Sequence, residues 1–352
     1  MTTLIWEYGT AYDLFASLHV LHHPQDFGVR PAWAAGVRAR LAEPHRATLA
    51  RLARAFPLPF PWLAALPGKK DATAVLTALE AIPPVERLPR LFLAYDTPAD
   101  AAAVLQRVAL HRQWVEDDLQ RLQRALAALA RPSHKPALAE RLDAWAQADA
   151  FGKALLSALL AYQQAFFAEE ERRLRPALQA AVTQARRQAA RVPLPKLLIT
   201  LTQGVRFPEA ETAQHLTLAP SFWLSPLVTF RWIAAGHGLL VFGGRPTGAS
   251  LVPGEGVPDG LLLALRALAD PTRLRILRHL TTQPATPTEL ARRLRLRPPT
   301  VVHHLHALRL ARLVSLTVEG RYRRYAARPE QFQALGQHLM AFVTPSEESD
   351  EA

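Results

Sequence analysis

Between Thr286 and Arg324 the sequence spaces hydroxyls, imidazoles and guanidiniums as a polyanion-binding surface would need them. Thr286, Thr288, Arg297, Thr300, His303, His306, Arg321, Arg323 and Arg324 are the candidate contacts to double-stranded DNA. Guanidiniums there would neutralise phosphates, while Thr300, His303 and His306 would meet base edges. The stretch 259–343 holds fourteen Arg and no Lys against five acids, a net of +9 in a chain of +12. Most of the positive excess therefore lies where these residues lie, as nucleic-acid binding requires.

Other chemically capable groups read differently. His303, His304 and His306 could ligate a metal by type, but their place on one helix of the same stretch makes DNA contact or packing the reading. His19, His22 and His23 fall at i, i+3 and i+4, a zinc-compatible spacing without an accompanying carboxylate motif, and read as a helix-end surface cluster. Glu169 with Arg173 and Glu171 with Arg175 form i, i+4 pairs expected on a solvated helix face. Gly243-Gly244-Arg245-Pro246-Thr247-Gly248 lacks the Gly-Lys-Ser/Thr ending of a phosphate loop. Trp6, Tyr8, Tyr12, Phe15, Trp33 and Trp62 read as core, with an effector pocket as the alternative. The chain has no Cys, which removes thiolate chemistry and disulfides. No enzymatic activity, cofactor or metal is expected.

The elements that must position the candidate contacts are legible. Leu261 opens a helical pattern, and Asp270-Pro271-Thr272 breaks and restarts it. Thr286-Pro287-Thr288-Glu289 is a capping box with proline at the first helical position. Arg297-Pro298-Pro299-Thr300 then forces a tight connection to a helix whose Val301, His304, Leu305 and Leu308 share one face. Thr300, His303 and His306 lie largely on the other. Two short helices so joined are a helix-turn-helix, whose second helix enters the major groove. Val314, Leu316 and Val318 alternate, Glu319-Gly320 turns, and Arg321-Tyr322-Arg323-Arg324-Tyr325 returns as the second strand of a basic wing.

Leu268-Ala269-Asp270-Pro271-Thr272-Arg273-Leu274, Pro298-Pro299-Thr300-Val301 with His304-Leu305, and Glu319-Gly320-Arg321 resemble the ArsR-type winged-helix family over about a quarter of the chain. The resemblance implies a homodimeric repressor with its recognition helix near Pro299 to Ala311, often released from DNA by an effector. Arg297 and Val302 stand where that family usually has small hydroxyl residues. Arg312 replaces the glycine that commonly closes the recognition helix.

At 352 residues the chain is long enough for two or three domains. Residues 1–192 read as a helical regulatory or dimerisation domain: short helices first, one long helix from Thr97-Pro98 to about Leu129, and another from about Pro136 to Arg191, broken or kinked near Pro176. Residues 193–247 read as a small β-rich subdomain with strands at Leu197–Thr202, Leu216–Ala219, Leu227–Ile233 and Leu239–Phe242. A linker at 248–258, the winged helix at 259–343 and an acidic tail at 344–352 follow. The expected fold class is mainly α with small β. No membrane span is expected, and the location expected is cytoplasmic. Residues 1–247 have three open roles: dimerisation, sensing of a small-molecule, non-metal effector, or a purely structural one. An enzyme fused to a DNA-binding module is the competing reading.

Overall fold

Leucine and alanine at three- and four-residue spacing build most of the chain into short helices. The computed structural model describes residues 2–127, 135–246, 248–254, 256–320 and 322–344. The tail from 345 lies outside the described residues. Two units emerge: the first gathers the chain through Leu197 with Phe207–Arg245 and the short piece that starts at Glu319, the second gathers Leu198–Arg206, Pro246–Val318 and the chain from Tyr322.

In the first unit, β1 (Thr3–Trp6) precedes α1 (Ala11–His22), α2 (Pro31–Arg38), α3 (Glu43–Ala55), α4 (Phe60–Ala65), α5 (Ala72–Glu80) and α6 (Pro84–Phe92). Then come α7 (Ala99–His111), α8 (Glu116–Ala127), α9 (Lys135–Ala146), α10 (Ala148–Tyr162) and α11 (Ala168–Ala189). Asp71 caps α5 by accepting the Ala74 amide at 2.8 Å. Buried Arg87 closes the other end of the same helix, donating to the carbonyls of Leu79 and Ile82, and reaches Gly152 O of α10 at 2.8 Å. It thus satisfies carbonyls that a helix end leaves without partners.

Two helix predictions need correction. The long helix expected to Leu129 divides at Arg112, whose φ of 54° is left-handed. The helix expected from Pro136 to Arg191 breaks at Gln147, between α9 and α10, passes through a π turn at Gln163–Phe167, and runs through Pro176 within α11.

The sheet of this unit has the order β1-β3-β5-β4, with β3 (His215–Ser221), β4 (Thr229–Ala234) and β5 (His237–Gly243). The pairs β1 to β3 and β3 to β5 are parallel, whereas β4 and β5 are antiparallel. Pairing with Thr3–Trp6 makes these strands part of the N-terminal unit instead of a separate subdomain. Leu197–Thr202, expected as a strand, lies in the helix α12 (Leu194–Leu201) and its C-terminal cap. Leu197, Leu198 and Leu201 are buried while Ile199 is exposed, a helical pattern that strand alternation could not produce.

A buried carboxylate network joins α1, α11 and the segment after β3. Asp13 accepts Ser221 Oγ at 2.6 Å and the amides of Phe222 and Trp223 at 3.0 and 2.8 Å. Burial pushes its carboxyl up to about 6. Glu170 accepts Trp223 Nε1 at 2.9 Å and pairs with Arg173 three residues on. Glu171 accepts Thr10 Oγ1 and the Ala72 amide. The solvated-face reading is therefore wrong for Glu171, which is buried against distant partners, as is its neighbour Glu170. The histidine cluster is likewise half-buried instead of superficial, and burial holds His19 and His22 down at about 4. Of the six aromatics expected as core, Tyr12, Phe15 and Trp62 are buried, Trp6 and Trp33 are half-buried, and Tyr8 is exposed.

The second unit contains β2 (Val205–Arg206), α14 (Asp259–Leu268), α15 (Pro271–Leu280), α16 (Pro287–Leu294), α17 (Pro298–Leu310), β6 (Val314–Glu319), β7 (Tyr322–Ala327) and α18 (Pro329–Val343). The short helix α13 (Pro208–Glu211) belongs to the first unit. Ile276, Leu277, Leu290, Val301, Leu305 and Leu308 form the centre of the second unit's core. Its sheet, ordered β2-β6-β7, gains a parallel edge strand in Val205–Arg206. The stretch expected as a linker is anchored at several of its described residues. Leu251 and Val252 are buried, and Ser250 Oγ and the Leu251 amide donate to Asp259 at 2.7 and 2.8 Å.

Candidate nucleic-acid interface

The helix α16 starts where its sequence says it should. Thr286 Oγ1 accepts the Glu289 amide at 3.3 Å, and Glu289 accepts the Thr286 amide at 2.7 Å, completing the capping box. These Thr286 bonds hold the Glu289 carboxyl below its ordinary value. The helix ends at Arg295, left-handed with φ 57°, and Pro298 begins α17 after a turn of three residues. This is helix-turn-helix geometry.

The helix α17 buries Val301, Leu305 and Leu308 and turns Thr300, Val302 and His303 outward. Thr288 and Arg297 are exposed, Thr286 is half-buried with its hydroxyl engaged in the cap, and His306 is half-buried with its own interactions. His304 sits on the inner side, its Nδ1 3.9 Å from Asp270, the residue that caps α15. Burial lowers the His304 imidazole despite that carboxylate. At the end of α17, Arg309 is buried and donates to Thr202 O at 3.1 Å, with its guanidinium lowered to about 10 by burial. It ties the end of α17 to the segment leading into β2. Arg312 adopts a left-handed backbone, φ 60°, a conformation that glycine takes without a steric penalty.

The wing arginines separate. Arg321 lies outside the described residues. Arg323 and Arg324 are consecutive strand residues and so point to opposite faces of the sheet. Arg323 is half-buried; Arg324 is exposed and donates to Pro284 O at 3.2 Å, beside the bridge between Ala285 and Tyr325. The sequence had grouped them as one phosphate-contacting set.

Arg324 also lines a polar hollow of about 440 Å³ with His279, Gln283, Glu289, Arg292 and Arg293. Arg292 and Arg293 were not among the sequence candidates. The available signal was their spacing, three and four residues beyond Glu289, which puts all three side chains on one flank of α16. Chemically the domain offers an outward helix face that fits a major groove and separate guanidiniums that can neutralise phosphates.

Comparison with known proteins agrees with this geometry. Residues 268–317 match the family described as a helix-turn-helix domain. Over 61 residues the chain is 51% identical to the HTH-type transcriptional regulator CmtR of Mycobacterium bovis and to CmtR of two strains of Mycobacterium tuberculosis. That stretch is 17% of this chain and 52% of each relative, so the chain spans about half the length of the curated relatives it matches. No solved structure matches it. The C-terminal part carries a helix-turn-helix domain similar to that of these regulators.

Proposed function

We propose that the chain is a double-stranded DNA-binding transcriptional regulator of the ArsR type, a homodimeric repressor in the cytoplasm and not an enzyme, whose N-terminal unit senses a non-metal effector. The observation that carries this reading is α17: apolar residues fix one side in the domain core, and Thr300, Val302 and His303 are left on the other to meet bases. The similarity to transcriptional regulators over the same region supports it.

The dimer is supported by α14 and α18. No described residue of α18 is buried, and Met340, Phe342 and Val343 are exposed. Beside them runs a largely apolar groove of about 440 Å³ lined by residues including Leu261, Ala264, Leu335 and Phe342. A second copy offering the same helices would cover this surface, as a two-fold interface requires. Among the described residues no helix is long and apolar enough to cross a membrane.

Genome-wide mapping of sites bound by the purified protein tests the reading. Two-fold symmetric sites, with half-sites about one helical turn or a multiple apart, are expected. Failure to enrich any sequence would contradict it.

A further inference from the structure

The capping box that starts α16 also governs the charge beside it. Glu289 stands three residues before Arg292 and four before Arg293, the spacings at which an acid and a base on one helix normally pair. Its carboxylate instead accepts the Thr286 amide at 2.7 Å. Among the described residues neither the Arg292 nor the Arg293 guanidinium makes an ion pair or a hydrogen bond, and the Arg324 guanidinium meets only the neutral carbonyl of Pro284.

All three guanidiniums line the polar hollow between α15, α16 and β7, with His279 and Gln283 beside them. Three positive charges face the single carboxylate of Glu289, an excess of two, and no other acidic residue lines the hollow among the described residues. The groups lie close enough to act on one another. Burial, and after it Arg293, lowers the His279 imidazole. The Thr286 bonds, with Arg324 and Arg292 adding to them, hold the Glu289 carboxyl below its ordinary value. Like charges gathered in one hollow repel one another until an anion enters.

We propose that this hollow binds a phosphate group, with Arg292, Arg293 and Arg324 as its donors. A guanidinium presents paired planar donors that match phosphate oxygens. The excess of two charges matches the dianion of a phosphate monoester or two successive backbone phosphates, whereas a carboxylate would leave one charge unmet. The volume of about 440 Å³ lies within the range of small-molecule sites. Two sources carry the group: a free phosphate compound, which is independent of the regulator reading, and the backbone of bound DNA, which rests on that reading.

Isothermal titration of the full chain with dianionic inorganic phosphate at constant ionic strength tests the first source, and salt-titrated binding to scrambled DNA tests the second. A free-phosphate site predicts saturable binding with Kd below about 10 mM, acetate at least about tenfold weaker, and loss of binding in Arg292→Gln/Arg293→Gln. A DNA site predicts no binding of free phosphate but a salt slope lower by about one to two units in that variant. Arg275→Gln/Arg278→Gln removes the same charge from exposed positions of α15 that do not line the hollow, and should lower the slope less. Glutamine suits a helix as well as arginine does, and unchanged far-ultraviolet dichroism verifies that both variants fold. Phosphate binding that persists in Arg292→Gln/Arg293→Gln, or acetate binding as tightly as phosphate, would overturn the proposal. So would an absence of phosphate binding together with no greater loss of slope than in Arg275→Gln/Arg278→Gln. Operator preference measured on the same preparations separates the two readings: phosphate binding without any preference refutes the regulator and leaves the hollow, and preference without either phosphate effect refutes the hollow alone.

Discussion

Replacing Gly152 by alanine should destabilise the N-terminal unit even though alanine is the better helix former. Propensity alone favours Gly152→Ala by about 1 kcal/mol in the interior of α10. A Cβ at this position, however, would stand 2.0 Å from Pro84 O and 2.8 Å from Pro84 C, both backbone atoms of α6 that cannot rotate away. Restoring an ordinary carbon–oxygen contact near 3.3 Å requires the helices to part by more than about 1 Å. Overpacking of that kind costs about 1–3 kcal/mol. The same movement stretches the 2.8 Å bond from buried Arg87 to Gly152 O, a charge-assisted bond of about 1.5–3 kcal/mol. Set against the propensity gain, the net loss is about 3 kcal/mol. Gly36→Ala is the control, because nothing lies within 4 Å of its added carbon in α2. It should be neutral or stabilising by up to about 1 kcal/mol. All seven tryptophans precede residue 233, so urea unfolding followed by tryptophan fluorescence reports this unit alone. Equal stability of Gly152→Ala and the wild type would refute the close packing of α6 on α10.

Asp13 should make stability fall with rising pH. Its folded value of about 6 exceeds the ordinary 3.8, so its favourable contribution is complete below about pH 4 and is lost as pH rises through 6. The stability difference between the wild type and Asp13→Asn should shrink by about 3 kcal/mol from pH 4 to 7, and a constant difference would contradict the burial argument. Thr286→Ala should cost the DNA-binding unit about 1 kcal/mol through loss of the cap, read by calorimetry and by faster exchange of the Glu289 amide; unchanged protection would count against the capping box. Phe342→Glu should convert a dimer into monomers in sedimentation at micromolar concentration, whereas an unchanged sedimentation coefficient would place the interface elsewhere.

Local signals made the C-terminal domain legible. Thr286 and Glu289 satisfy each other across three residues, and Val301, Leu305 and Leu308 repeat with the helix, so cap and core face could be read without tertiary knowledge. The misread features depend on partners far away in sequence. Glu171 looks like a surface acid until Thr10 and the Ala72 amide are brought to it. Leu197–Leu201 is too short and too uniformly apolar for periodicity to separate helix from strand. Thr3–Trp6 becomes a strand through parallel pairing with residues beyond 214, which no local pattern announces. The guanidinium hollow is assembled from α15, α16 and β7, so Arg292 and Arg293 gain significance only beside Arg324.

The central claim, that the outward face of α17 reads DNA sequence, is tested most directly by salt-titrated binding of His303→Ala to a mapped operator and to scrambled DNA. The preference for operator should fall by about 1–3 kcal/mol, with the salt slope and scrambled-DNA affinity little changed, because a base contact is removed and phosphate contacts remain. A variant that keeps full preference for the operator, or loses affinity for both DNAs equally, would contradict the assignment of His303 to the reading face.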